Sequence, residues 1–186
     1  TAAALMGIGN VYSSMKSYDL CLKYYDQALT YFLEQRDSVF ISYLYTNISE
    51  VYAAINDLNK ELEFQRKSLS IKEKINDDYG LVYSYSNMSG LMSKQNKEDS
   101  ALYFANKAIE TSIKINNQEF LISSYQALGD VYFHFKYYKQ AVSIYSQALE
   151  IARKLKNSKS ESLILKLLAA AQLYSGDYIN GSKSLL

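Results

Sequence analysis

The chain has no proline and no tryptophan, and only one cysteine and one histidine among its 186 residues. Without proline there is no strong helix breaker, so helices can run throughout a chain of this length. Without tryptophan, 19 tyrosines must do the packing work of the larger aromatics. The single cysteine, Cys21, allows no internal disulfide and says little about compartment. An excess of charge of one sign is also lacking. Lys and Arg number 20 against 19 Asp and Glu, a formal net charge of +1, so no field draws nucleic acid or an anionic membrane. The longest apolar stretch, Leu163 to Leu173, is interrupted by Lys166 and falls well below the ~20 residues that a bilayer span needs. No charged-then-apolar leader opens the chain, which starts at Thr1 rather than Met and so reads as lacking its true N-terminus. A secretory leader removed with it stays an open alternative to a cytoplasmic location. The remaining composition, 48% hydrophobic and 21% charged, is that of a folded soluble protein.

What the chain does have is a period. From Tyr125 to Ala148 an aromatic is followed by Leu128-Gly129, Tyr132, Ala141, Tyr145 and Ala148, and the template recurs at steps of 40 without insertions. Its small residue is Gly9, Ser49, Ser89, Gly129 and Ala169, preceded by Ile8, Ile48, Met88, Leu128 and Leu168. A second small column holds Cys21, Glu61, Ala101, Ala141 and Gly181, and a third holds Ala28, Ser68, Ala108 and Ala148. Apolar residues recur at three- and four-residue steps, as in Leu128, Val131, Tyr132 and Phe135, which is a helical stripe. Polar breaks recur in phase too, at Lys16-Ser17, Asn56-Asp57 and Lys136-Tyr137, and at Arg36 to Ser38, Asn76 to Asp78, Asn116 to Gln118 and Lys156 to Ser158.

Each unit therefore reads as a helical hairpin. The first, or A, helices are expected at about 2–15, 38–55, 78–95, 118–135 and 158–175. The B helices are expected near 18–36, 58–76, 98–116 and 138–156, with a cut-short one from 178. The repeats fall at about 2–37, 38–77, 78–117, 118–157 and 158–186, the last truncated, with no linker between them. Gly9 and Gly129 are expected to let helix axes approach closely. One hairpin cannot bury its apolar face alone, so neighbours must stack. Repeat three departs most, with Met92 and Ala105 where aromatics stand elsewhere, and is expected to be the loosest.

These columns resemble the tetratricopeptide repeat. Its signature of aromatic, Leu-Gly, Tyr, then Ala, aromatic and Ala is met by Tyr125, Leu128-Gly129, Tyr132, Ala141, Tyr145 and Ala148, and nearly as well by Ile8-Gly9, Tyr12, Tyr25 and Ala28. The resemblance covers the whole chain, about four and a half units. Tyr or Leu replaces the signature Trp, the terminal Pro is missing, and the period is 40 rather than ~34. Longer repeats of this kind are similar to those in kinesin light chains, bacterial peptide-sensing regulators and sensor domains of bacterial signalling proteins. The resemblance implies an all-α, right-handed superhelical solenoid whose ligand-facing wall is made by the A helices.

Mapping the family's groove columns onto this chain gives a mostly uncharged wall: Asn10, Tyr43, Asn47, Glu50, Tyr83, Ser86, Asn87, Gln126, Asp130 and His134. Amides carry both donor and acceptor and can pair with the backbone of an extended peptide, while tyrosines cover its side chains. The competing reading is a merely solvated helix face. The family's carboxylate clamp of paired Lys and Arg is absent, since its columns hold Met6, Thr46, Ser86 and Gln126, with Lys only at Lys166. The acidic pair Glu50 and Asp130 would instead tolerate a basic ligand. Cys21 sits in a small slot and reads as a packed thiol. His134 has no second histidine to share a metal. The glycosylation-like triplets at Asn47 and Asn87 fall on packed helices and read as accidental. No convergent catalytic set is present. The expectation is a non-catalytic module without cofactor or metal that binds a peptide or protein segment, neither binds nucleic acid nor inserts in membrane, and belongs to a larger regulatory or signalling protein. The alternative is a self-associating scaffold, with a homodimer as its simplest form.

Overall fold

Every polar break in the sequence closes a helix in the same way. The residue two beyond the helix end takes a left-handed backbone: Lys16 (φ 57°), Arg36, Asn56, Asn96, Asn116, Lys136 (φ 65°) and Lys156 all do so, as does Asn76, which directly follows its helix, and Gly176 takes φ 88°. The next N–H then reaches back to a carbonyl in the last turn, as Ser17 N–H does to Tyr12 O at 2.9 Å and Asn157 N–H to Ala152 O at 2.9 Å. This is the Schellman closure, which satisfies carbonyls that the helix end leaves unpaired. At the other end Asp37, Asp77, Asn117 and Asn157 each accept the backbone N–H three residues on, at 2.9–3.2 Å, and so fix where four of the A helices start. Asp57 caps a B helix likewise, at 3.1 Å.

The computed structural model describes residues 1–176. Among the described residues there are nine helices and no strand: α1 (Ala2–Ser14), α2 (Tyr18–Glu34), α3 (Ser38–Ala54), α4 (Leu58–Ile75), α5 (Asp78–Lys94), α6 (Glu98–Lys114), α7 (Gln118–His134), α8 (Tyr138–Lys154) and α9 (Ser158–Tyr174). Helix starts fall where the caps place them. Helix ends come one or two residues earlier than expected, because the last polar residues occupy the left-handed turn instead of extending the helix. The B helix expected from 178, with Gly181, lies outside the described residues. Chain order pairs α1 with α2, α3 with α4 and α7 with α8 as hairpins, and the B helices α2, α6 and α8 also meet the A helices α3, α7 and α9 that follow them.

The helices group into two compact units, Thr1–Ser84 and Tyr85–Leu186, with the division falling inside α5. The core of unit 1 holds Cys21, Tyr25, Ala28, Phe32, Leu44, Ile48 and Val51. That of unit 2 holds Ile122, Ala141, Tyr145, Ala148, Ile164 and Leu168. At both signature glycines the nearest neighbour is an aromatic ring. A Cβ on Gly9 would sit 2.5 Å from the Tyr25 ring, and one on Gly129 would collide with the Tyr145 ring. The missing side chain makes room for an aromatic face. Both rings are buried, at 2% and 1% exposure. Burial of a phenylalanine-sized group contributes about 1.5–3 kcal/mol.

The junction between each B helix and the next A helix varies in polarity. Phe32 and Leu44 share the apolar core of unit 1. Forty residues on, Lys72 and Ser84 occupy the same positions and are hydrogen-bonded at 3.0 Å. Then come Ser112 and Ser124, bonded at 2.8 Å, and finally Ala152 and Ile164, apolar again.

Candidate functional site

In unit 1 the A-helix residues singled out from the sequence form one hydrogen-bonded set and one charged set. Asn10 Oδ1 accepts from the Tyr25 hydroxyl at 2.6 Å and from Asn47 Nδ2 at 3.3 Å, which ties α1 to α3 across an open face. Burial and the neighbouring Cys21 push the Tyr25 hydroxyl well above its ordinary value, so it stays protonated and donates.

The charged set centres on Lys72 of α4, which the groove columns do not include. Only 1% of it is exposed. Its Nζ donates to Thr46 Oγ1 at 2.9 Å and Ser84 Oγ at 3.0 Å, and lies 5.6 Å from the centre of the Tyr43 ring. Burial pushes this ammonium down from its ordinary value, while Asp77 and Glu50 pull it back up. Glu50 in turn is pushed above the usual carboxylate range by burial, with Lys72 opposing. Asp77 accepts the Gly80 N–H through Oδ1, while its Oδ2 is buried without a hydrogen-bond partner. A side chain at position 80 would strike that carboxylate and the Lys72 stem, which is why glycine stands there. The sequence did carry a signal for Lys72. Its column otherwise reads Phe32, Ser112 and Ala152, and a lysine among such residues is out of place on a buried face. Tyr43 and Tyr83 are both exposed, at 41% and 56%.

In unit 2, Ser86, Asp130 and His134 come together. They line a cleft of about 240 Å³ between α5 and α7, with Ser89, Gly90, Ser93 and Lys94 from α5 and Ala127 and Val131 from α7. The Tyr145 hydroxyl donates to Asp130 Oδ1 at 2.5 Å, which repeats the Tyr25–Asn10 bond with a carboxylate in place of the amide. Asp130 keeps an open side, yet the helices around it desolvate the carboxyl and push it above its ordinary value, while hydrogen bonds from Tyr145 and Gln126 pull it back. The Ser86 hydroxyl oxygen is buried without a partner. His134 is exposed, with Nε2 3.2 Å from Asn96 Oδ1. Asn87 is exposed on α5 but is not among the residues lining the cleft.

Cys21 is fully buried in unit 1 and burial raises its thiol, as befits a packed side chain. Among the described residues no group of three or more His, Cys, Asp or Glu could hold a metal ion. No described helix is long and apolar enough to cross a membrane.

A tetratricopeptide repeat profile matches residues 1–74 and a second matches 122–155, together more than half of the chain. No curated protein matches the sequence. Several solved structures share the fold. A Signal Transduction ATPase with Numerous Domains (STAND) protein with a tetratricopeptide repeat sensor, from Pyrococcus horikoshii, is 23% identical with a TM-score of 0.84. The match covers 98% of this chain but only 28% of that one. A Rap protein complexed with competence and sporulation factor is 16% identical with a TM-score of 0.83, over 97% of this chain and 50% of that chain. A putative kinesin light chain from Podosopora anserina, with nearly identical TPR-like repeats, is 14% identical with a TM-score of 0.81, over 98% and 90%. At these identities the likeness shows the fold alone. The phased columns, the hairpin order and the two profile matches agree: the chain belongs to the tetratricopeptide repeat family.

Proposed function

We propose that this chain is a non-catalytic interaction module whose A-helix faces bind an extended peptide or protein segment, as the sensory or docking part of a larger regulatory protein. The observation that carries the reading is the Asn10–Asn47 pair on the open face of unit 1, flanked by the exposed ring of Tyr43. Each amide keeps hydrogen-bonding capacity beyond that bond, which suits the repeating N–H and C=O of an extended backbone. The Rap protein of the same fold, solved in complex with competence and sporulation factor, supports it by analogy. The test is a library of extended peptides selected on the wild-type chain and re-measured by calorimetry on Asn47→Ala and Asn87→Ala. At least one variant is expected to bind about tenfold more weakly, the equivalent of ~1.4 kcal/mol. Unchanged affinity in both would remove these faces from the reading.

A further inference from the structure

In the first and fourth repeats a tyrosine from the B helix fills the space over a glycine, and its hydroxyl bonds a polar residue on the A helix, Asn10 or Asp130. The third repeat has neither part. Ala105 stands at the tyrosine position and Gly90 at the polar one, and a Cβ built on Gly90 meets nothing within 4 Å. The cleft of unit 2 opens over Gly90, with Ser86 and Ser89 beside it and Asp130 on the facing helix.

We infer that this cleft is a pocket for one basic side chain, preferentially arginine, of the segment bound by the A-helix face; the inference rests on that reading of the face. Size is the first argument. About 240 Å³ exceeds the roughly 150 Å³ cavity that takes a benzene molecule. It falls short of the roughly 300–1,000 Å³ of pockets that take drug-sized ligands, so it accommodates a single side chain.

Chemistry is the second argument. Asp130 is bonded by Tyr145 and Gln126, both neutral donors, and an ionised carboxylate has room for about four such bonds. Ser86 lines the same space, its hydroxyl oxygen buried in the wall without a partner. A guanidinium is a planar fork of donors that pairs with a carboxylate through two bonds, which a lysine ammonium cannot match. Lys94 and His134 stand one helical turn further along α5 and α7, so the guest's positive charge is favoured at the Asp130 end.

The experiment selects extended peptides from a positional-scanning library on the wild-type chain, then measures the best peptide and its Arg→Gln version on three proteins. On wild type the Arg→Gln peptide is expected to bind about tenfold more weakly. On Asp130→Asn, which copies the tolerated Asn10 arrangement, the two peptides are expected to differ by less than about threefold. Gly90→Leu should weaken the arginine peptide about tenfold, while its unfolding midpoint stays at or above that of wild type, because glycine is a poor helix residue. Selected peptides without a basic position would overturn the inference and leave the binding face standing, as would an equal Arg→Gln loss on wild type and Asp130→Asn. A library that yields no binder removes the binding face and this pocket together.

Discussion

In unit 1 an ammonium is sealed between helices; in unit 2 a carboxylate stands at the edge of an open cleft. Both come from single departures in the same forty-residue plan. Lys72 replaces a core side chain, and Thr46 and Ser84 have become hydroxyls that hold it. Asp130 replaces an amide such as Asn10 at the rim, and keeps the tyrosine bond that the amide made. The same repeat thus tolerates charge in two ways. Inside, charge needs every neighbour to change with it, because a buried ion without partners is costly. At the rim it needs only the donor that was already there.

The largest expected effect tests the glycine under the Tyr145 ring against the one in the cleft. Gly129→Ala pushes a methyl into the ring of the buried Tyr145 and should cost about 2–3 kcal/mol in denaturant unfolding. Gly90→Ala meets no atom and should add roughly 0.5–1 kcal/mol. Equal effects would mean that the Tyr145 ring yields to the added methyl.

Next comes the contrast between charged and neutral junctions. Ser84→Ala removes a hydroxyl from a buried ammonium and should cost about 2 kcal/mol. Ser124→Ala removes a neutral partner from Ser112 and should cost nearer to 1 kcal/mol. A larger loss at Ser124 would reverse the ranking of the two junctions.

A smaller gain is expected at the turns. Lys136→Gly relieves a side chain held at φ 65° and should stabilise by about 1 kcal/mol, as seen in the same unfolding measurement.

The pH profiles separate the units by sign. Asp130 is raised in the folded state, so the folded chain holds its proton more tightly than the unfolded one. Its contribution to stability therefore improves as pH falls through the window from its folded value down to the ordinary aspartate value of 3.8. Asp130→Asn should flatten that acid limb. Lys72 is lowered, so its cost is present below its folded value and is released as pH rises through that value toward the ordinary lysine value of 10.5. Tyr25 and Tyr145, both raised, act in the opposite direction as pH climbs past the ordinary tyrosine value of 10.0. The useful quantity is therefore the difference between wild type and Lys72→Met, and a difference independent of pH in the alkaline range would dismiss the buried ammonium as a titrating group.

Much of the fold was readable because local chemistry fixes it. The caps at Asp37, Asp57, Asn117 and Asn157 announce helix starts in the sequence, and the helices begin where they say. The B-helix ends were overrun because Arg36, Asn76, Asn116 and Lys156, expected as the last helical residues, take the left-handed turn instead; side chains of Arg and Lys in particular also extend helices. That Gly9 and Gly129 seat the rings of Tyr25 and Tyr145 was not legible in the sequence, since what a glycine makes room for depends on a partner in another helix. The site was readable only as columns. Ser86, Asp130 and His134 were named singly, but the cleft they share takes in Gly90 and Ala127 as well, a combination that no single column records. The division inside α5 had no counterpart in the sequence at all, since a helix with unbroken periodicity carries no mark of where packing changes allegiance.

The left-handed closure at every twentieth residue has a consequence for how such a chain can change. A block cut from one of these turns to the turn forty residues on enters and leaves with the same backbone shape. A block of that length can therefore be duplicated, deleted or moved without re-threading the backbone on either side, so long as the side chains at each new seam match, as Lys72 matches Ser84 at its own.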